Sequence, residues 1–415
     1  MERTQSLAGT CSQIDMHMRT LEDLRMELSS IERGALGLNE YQQCAAQTYR
    51  GPREGKEKFE FLLLGLFGEV GSLLSELKKK QRDPNSYVSY KASSLEETGD
   101  VLWYLANAVG HCGMHLQVIA QHTLSVANLR TFNDLQPQSS LFHGPADPSH
   151  VRSGLLALAG SVGTLLRRHR TSTDVDGFAS GIAEIFGQLV AASNDAQIDL
   201  GDAAIANLSK VLARWPVRLE WGELLDASND PAEQLPRQML VRFEERQVNG
   251  RSCVYQSING VQVGDPLTDN REQKDDYRFH DVFHLAFAGI LSWSPVLRSL
   301  LQVRRKSSPD TNENQDGARA KITEEGISNW IFSHGLRHQA FEYVESVDFD
   351  LLKTIGEMVK GYEVERLPPW AWEHAILEAF RAFRFLRQHR GGVVSVDLNR
   401  RSLQVFLERP PESVC

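Results

Sequence analysis

The sequence has few cysteines and no long apolar run. Its cysteines (Cys11, Cys44, Cys112, Cys253 and Cys415) are scattered, odd in number and show no CxxC pair or zinc-ligand spacing. Such a set argues against a disulfide framework and fits a reducing compartment, so we expect a cytoplasmic protein. No stretch approaches the ~20 apolar residues of a membrane span, and the polar N-terminus lacks a signal-peptide core. We therefore expect no membrane partner.

Basic residues are also in the minority. The 415 residues carry a net charge of −9 at pH 7, which disfavours direct binding of a nucleic-acid backbone as the main activity. A free nucleotide that arrives with its metal ion remains compatible with this charge. The length is sufficient for two or three domains, each with its own core.

Two apolar helix patterns, LLLGLFGEVGSLLSELKKK and LEETGDVLWYLANAV, are interrupted by acids where the apolar face should continue. At 100° per residue, Glu69 and Glu76 share one face of the first helix, and Glu97 and Asp100 share one face of the second. Carboxylates on the buried side are unfavourable unless they hold a cation. If the helices pack antiparallel, these acids converge in an oxygen-only site, which suits Mg²⁺ or Mn²⁺ better than zinc.

These segments carry a family resemblance. GEVGxLxxELKKK followed by EExGDVLWYLA resembles the ExxE…ExxD motif of the MazG-like all-α nucleoside triphosphate pyrophosphohydrolases. The upstream NEYQQCAAQTY is similar to the first helix of that family, so we assign residues 37–135 to a MazG-like catalytic unit. The resemblance implies Mg²⁺-dependent hydrolysis between the α and β phosphates, which yields a nucleoside monophosphate and pyrophosphate.

The resemblance also implies roles for the acids. It assigns three of them as catalytic metal ligands: Glu69, Glu97 and Asp100. One position departs from the family, because Ser72 stands where the second Glu of the motif is expected. Glu76, one turn further on, is a further candidate metal ligand, and Glu96 is a candidate supporting carboxylate.

Basic and polar residues are implied as contacts for the phosphates. By position in the motif, Lys78 or Lys79 with Asn128 and Arg130 would bind the substrate. A different interpretation of the two lysines is equally open, since a basic last turn also complements a helix dipole.

A second copy of the pattern follows without the acids. LLALAGSVGTLL repeats LLGLFGEVGSLL, and the similarity continues downstream, so we interpret residues 150–218 as a degenerate MazG-like repeat. Chance similarity of amphipathic helices is the alternative. The aligned pairs are Ser161 with Glu69, Arg168 with Glu76, Gly181 with Glu97, Glu184 with Asp100, and Asn207 with Asn128.

The repeat has a consequence for architecture. Enzymes of this family resemble four-helix assemblies built by dimerisation, so a fused copy supplies in one chain what a second subunit supplies elsewhere. We then expect one active site per chain. Four basic residues of the second half either reach the substrate or form a solvated face: Arg167, Arg168, Arg170 and Lys210.

The remaining segments are an N-terminal extension, residues 1–36, and a C-terminal α+β domain, residues 236–415. The latter looks like the C-terminal extension attached to some MazG-like proteins. Alternating apolar residues around Asn249-Gly250 predict a β-hairpin with a type I′ turn. Further patterns predict helices over residues 277–293 and 321–336, a mobile loop over residues 304–320 and a hairpin over residues 393–406.

One turn of the first of these helices contains a candidate second site. His280, Asp281 and His284 have the spacing HDVFH, which differs by one acid from the HExxH motif of zinc hydrolases. Glu324 and Glu325 open the next helix. A buried polar cluster that only satisfies itself is the alternative interpretation.

Together these features predict a mainly α protein, a four-helix-bundle-type tandem repeat followed by an α+β domain. Its predicted function is Mg²⁺- or Mn²⁺-dependent pyrophosphohydrolysis of a nucleoside triphosphate, with a homo-oligomer compatible. The second hypothesis is a nucleotide-binding sensor without turnover, favoured by Ser72 and by the silent repeat. A third is a metal hydrolase centred on His280 and His284.

Overall fold

The computed structural model describes residues 35–139, 142, 146–169, 175–216 and 218–408. These residues form two compact units, one ending at Val217 and the other beginning at Arg218. Residues 1–34, most of the predicted N-terminal extension, lie outside the described residues, as does Arg170. No helix in the described part of the chain is long and apolar enough to cross a membrane.

The N-terminal unit is helical, and its helices follow the apolar spacing of the sequence. Buried residues of the second helix recur every three or four positions, for example Leu66, Val70, Leu73 and Leu77. The described helices are α1 Leu38–Gln47, α2 Gly55–Arg82, α3 Tyr90–His111, α4 Leu116–Leu124, α5 Phe132–Leu135, α6 Pro148–His169, α7 Val175–Ala196 and α8 Leu200–Arg214.

The helices pack as two similar pairs. Helix α2 packs along α3, and α6 packs along α7 in the same manner. Between the pairs, α2 contacts α6, α3 contacts α7 and α8, and α4 contacts α7. This symmetric set of contacts is what two copies related by an approximate two-fold axis would produce. One apolar core runs through both halves, so their described residues fold as a single compact unit, which ends at Val217.

The C-terminal unit contains an antiparallel sheet in the order β3-β2-β1-β4-β5. Asn249 and Gly250 both have positive φ, as a type I′ turn requires, and Val248 pairs with Arg251 across it. Both predicted hairpins are confirmed. The strands are β1 Gln238–Val248, β2 Arg251–Ile258, β3 Val261–Gln262, β4 Gly391–Asp397 and β5 Ser402–Phe406.

Helices pack against this sheet and confirm the α+β class. Helix α14 packs on β4, β5 and α9, and α9 continues into a π-helical segment, Phe287–Leu291. The unit begins before residue 236, since Asp226 is fully buried within it. The helices are α9 Asp281–Ala286, α10 Pro295–Leu300, α11 Pro309–Asn314, α12 Ala318–Arg337, α13 Phe349–Met358 and α14 Pro369–His389.

The expectation of a mobile loop over residues 304–320 is wrong. Arg305 is buried in this segment, and its guanidinium donates to Asp316 at 2.7 Å and to Glu363 at 2.8 Å. Helix α11 also lies within the segment. The polar composition suggested a solvated loop, but two carboxylates satisfy a buried guanidinium and anchor the chain.

Candidate functional site

Helices α2 and α3 bring the three principal acids together. Glu69 projects from α2, and Glu97 and Asp100 project from α3, which is joined to α2 by the short segment 83–89. Carboxylate oxygens of the three residues all lie within 4.8 Å of one another. All three side chains are half-buried, so a ligand from solvent can reach them.

Two residues of the second half contact this cluster. Lys210 on α8 donates to Asp100 Oδ1 at 2.6 Å and lies 3.5 Å from Glu96. Asn207, one turn earlier on α8, donates to the same oxygen at 2.8 Å, and its own carbonyl oxygen accepts from Tyr41 at 3.3 Å. Asp100 is therefore held by two side chains of the second half.

The acids strongly affect one another's titration. Burial, with the charges of Asp100 and Glu69, raises the pKa of Glu97 from 4.5 to about 7. Burial and the charge of Asp100 also raise the pKa of Glu69. The pKa of Asp100 is raised by burial, against the opposing effects of Lys210 and Asn207. A cluster in which charges are this crowded is stabilised by a bound cation.

The donor set fits a hard divalent ion. Three carboxylates without an imidazole or thiolate are the oxygen ligands that Mg²⁺ and Mn²⁺ prefer. Glu69, Glu97 and Asp100 are the residues that would hold such an ion. The ammonium group of Lys210 places a positive charge beside Asp100.

Glu76 lies apart from this group. It is buried and accepts from Lys79 at 2.6 Å and from the hydroxyl of Tyr87. Neither Glu76 nor Lys79 is joined by a hydrogen bond to the three acids among the described residues. The structure thus gives both residues a local partner, and their metal- and substrate-binding roles stay predictions.

The other predicted substrate contacts are exposed, and their roles stay predictions. Lys78 is exposed on α2, and Asn128 and Arg130 are exposed in the turn between α4 and α5. The main chain of Arg130 bonds to Leu38 and to Asp134, at 2.9 and 3.0 Å. In the described part of the chain, no hydrogen bond or ion pair links these three side chains to the acid cluster.

The second half contains the corresponding position without the charge. Ser161, aligned with Glu69, donates to Glu184, aligned with Asp100, at 2.9 Å. A Cβ atom on Gly181, aligned with Glu97, would lie 2.8 Å from Leu165. A single carboxylate with a hydroxyl partner is no metal site, and the packing of Leu165 fills the place of the third acid.

An aromatic group borders the acids. Tyr104, one turn after Asp100 on α3, has its pKa raised to about 12 by burial and by the charges of Glu69 and Asp100. Its ring centroid lies 6.4 Å from that of Phe61, which is 39% exposed on α2. The pair provides an apolar surface beside the charged one.

The predicted second cluster is also assembled, in the C-terminal unit. Ligand atoms of His280, Asp281 and His284 lie within 4.8 Å of one another. His284 contacts Glu324 through Nδ1 at 2.7 Å, and its Nε2 lies 3.5 Å from Glu325. Burial lowers the pKa of His280. At His284 burial acts in the same direction, but Glu324, Glu325 and Asp281 together outweigh it and raise the pKa.

Sequence reasoning missed Asn207, Tyr41 and Tyr104 as members of the first site, and it named Lys210 only among four basic candidates. A signal for Asn207 was present, since the repeat aligns it with Asn128. No comparable motif marks Tyr41 or Tyr104, because their roles depend on the packing of helices.

Comparisons with known proteins identify the C-terminal unit. Residues 221–409 match the family model of the MazG C-terminal domain. The C-terminal unit belongs to this family, and the chain is therefore a MazG-related protein. The chain is also 30% identical over 91 residues to the Gene 37 protein of Mycobacterium phage L5, a match covering 20% of this chain and 80% of that protein. No solved structure matches the chain significantly.

Proposed function

We propose that the N-terminal unit is a Mg²⁺- or Mn²⁺-dependent nucleoside triphosphate pyrophosphohydrolase. It would convert a ribo- or deoxyribonucleoside triphosphate and water to a monophosphate and pyrophosphate. The observation that carries the proposal is the convergence of Glu69, Glu97 and Asp100, whose carboxylate oxygens lie within 4.8 Å of one another. The MazG C-terminal domain that follows in the same chain supports it.

The reaction requires the negative charge of the triphosphate to be neutralised at this site. A divalent ion, when bound, neutralises the triphosphate and lowers the pKa of a water molecule. Glu69, Glu97 and Asp100 would bind the ion through oxygen. Asn207 orients Asp100 by donating to Oδ1, and Tyr41 in turn orients the Asn207 amide.

Lys210 is the cation closest to the acids that the structure records. Its ammonium group bonds Asp100 when no metal compensates that charge. In the substrate complex, the same flexible side chain would turn to the phosphates and stabilise the negative charge that develops there.

We expect the nucleobase of the substrate to stack on the aromatic pair. Tyr104 and Phe61 lie beside the acids, and stacking of a base on such rings is worth about 1–3 kcal/mol. We expect Tyr104→Ala to raise KM for the nucleotide more than it lowers kcat.

We propose a homo-oligomer and a cytoplasmic location as well. Leu64 and Phe67 of α2 and Leu156 of α6 are large apolar side chains with 69%, 50% and 57% exposure. Such an apolar surface supports association. Light scattering of the purified protein and of Phe67→Gln tests this proposal, since a monomeric wild-type protein would contradict it.

The test of the enzymatic proposal is pyrophosphate release in Mg²⁺ from the common nucleoside and deoxynucleoside triphosphates. Identification of the monophosphate locates the cleaved bond between the α and β phosphates. The Glu97→Ala protein should release none. Tight nucleotide binding without release by the wild-type protein would instead favour the sensor, an alternative that the ion pair of Lys210 with Asp100 also allows.

A further inference from the structure

The helical turn around His280 and His284 arranges hydrogen-bond acceptors without matching donors. His280 Nδ1 lies 2.9 Å from the main-chain oxygen of Tyr277, so this nitrogen must carry the proton and donate it. The Nε2 atom of the same ring lies 3.1 Å from Asp281 Oδ1. In the neutral imidazole, that contact places two lone pairs against each other, which is unfavourable unless a cation lies between them.

His284 repeats this arrangement more deeply in the core. Its Nδ1 donates to Glu324 Oε1 at 2.7 Å, and the Nε2 atom is buried without a hydrogen-bond partner among the described residues. Its side chain is 3% exposed, and Glu325 Oε2 lies 3.5 Å from the same nitrogen. A buried Nε2 beside a carboxylate is a position for a cation, and a metal ion that binds there displaces the proton from this nitrogen.

Glu324 has the role of an outer carboxylate that fixes a metal-binding histidine. It accepts not only from His284 but also from the Ser294 hydroxyl at 2.6 Å and the Val296 N–H at 2.7 Å. These three contacts hold the Glu324 carboxyl group in place, and its contact with Nδ1 fixes the orientation of the His284 ring. Carboxylates of this kind accompany most metal-bound histidines.

From these contacts we propose that the C-terminal unit binds a divalent transition-metal ion through His280 Nε2, His284 Nε2 and an oxygen of Asp281. Two imidazoles and one carboxylate select ions such as Zn²⁺, Co²⁺ or Fe²⁺ over Mg²⁺. One divalent ion satisfies all three ligands, whereas protonating both rings would place two cations with centroids 5.8 Å apart.

Two carboxylates connect the site to solvent. The Asp281 side chain is 22% exposed and that of Glu325 is 48% exposed, so an ion can enter from solvent. Asp281 is steadied by Gln256, which donates to Oδ2 at 2.6 Å. Three protein ligands with an open fourth position are typical of catalytic rather than structural metal sites.

The experiment uses the untagged full-length protein, stripped with a chelator and then equilibrated with Co²⁺ or Zn²⁺ in excess Mg²⁺. We expect about one transition-metal ion per chain and a cobalt absorption band typical of nitrogen and oxygen ligands. His280→Gln and His284→Gln should each weaken affinity by about 100-fold or more, and Glu324→Gln by about 10–100-fold.

Matched controls separate this site from other binding. His334 on α12 and His338, the residue that follows this helix, have the same i, i+4 spacing, so His334→Gln should retain the metal. Glu97→Gln should also retain it, which keeps the result independent of the N-terminal unit. If the His284 variant does not fold, Asp281→Asn serves in its place, because Asp281 is partly exposed. This variant should lose metal affinity to a similar extent.

Two results would overturn the proposal. The first is a wild-type protein that binds no Co²⁺ or Zn²⁺ in the presence of Mg²⁺, which would leave the cluster as a buried histidine–carboxylate network. The second is a metal content unchanged by His280→Gln and Asp281→Asn.

Discussion

The two halves of the N-terminal unit share an apolar pattern but differ in the side chains that carry charge. Leu66, Val70 and Leu73 of α2 are buried, and so are their counterparts Leu158, Val162 and Leu165 of α6. On the other face, the acids of the first half correspond to Ser161, Gly181 and Glu184. The core of such a repeat and its site can therefore diverge independently, because they occupy different faces of the same helices.

The half without the acids still contributes to the site. Asn207 and Lys210 on α8 both bond to Asp100, and the backbone of α8 lies against Gly99 of α3. The first half thus supplies the anions, and the second supplies the groups that orient and neutralise them. This division of roles is the comparison that the following predictions test.

The largest difference should appear when the same kind of substitution is made in each half. Asp100→Ala removes a metal ligand and is expected to reduce pyrophosphate release by about 10³-fold or more. Glu184→Ala, at the aligned position of the second half, removes a carboxylate that accepts a hydrogen bond from Ser161 and should leave turnover within about 2-fold. Equal losses in the two variants would refute the assignment of a single active site.

A packing change at Gly99 should be the next largest. An added Cβ would lie 2.6 Å from the Ala203 oxygen and 2.9 Å from the Asn207 Cβ, and a backbone oxygen cannot yield easily. We expect Gly99→Ala to destabilise the contact between α3 and α8 by about 1–3 kcal/mol, with faster amide exchange in both helices. In Gly163→Ala the new methyl meets open space, so this control should be neutral or slightly stabilising.

The helical order and the three acids could be predicted because each depends on local periodicity. Glu69, Glu97 and Asp100 stand out as charges on apolar faces. The antiparallel packing of their two helices could also be predicted, because a short segment joins them. The Asn249-Gly250 turn was predictable for a similar reason, since both residues tolerate the positive φ of a type I′ turn.

The features that sequence reasoning missed depend on contacts between distant segments. Lys210 meets Asp100 across 110 positions of the chain, and nothing in the local pattern distinguishes it from Arg167 or Arg168. The buried Arg305 was misplaced in a loop because one of its two carboxylate partners, Glu363, lies 58 positions away. The amino-acid composition of a segment indicates whether it is polar, but it does not show which distant residue each charged side chain pairs with.

Replacement of Lys210, the cation from the second half, should have a smaller effect, and it should change metal affinity and turnover in opposite directions. Lys210→Met removes the competitor for Asp100, so Mn²⁺ affinity should rise several-fold. The same change removes a phosphate contact, and we expect kcat to fall about 10–30-fold. Lys210→Arg keeps the charge and should retain most of the turnover. Isothermal titration with Mn²⁺ and steady-state kinetics measure the two effects separately, and a fall in both would show that Lys210 is needed only for folding.

The smallest expected effect is on stability, and it comes from the repulsion among the three carboxylates when no metal ion is bound. Because the pKa of Glu97 is raised from 4.5 to about 7, the folded state binds this proton more tightly than the unfolded state. The resulting stability is fully present below pH 4.5 and is lost as pH rises towards 7. In chelator at pH 8, Glu97→Gln should stabilise the N-terminal unit by about 1–2 kcal/mol, after allowance for partial exposure. Amide exchange in α3 as a function of pH measures this, and Glu184→Gln should show no such change. An identical pH dependence in wild type and Glu97→Gln would mean that the repulsion among the acids is already relieved, most directly by Lys210.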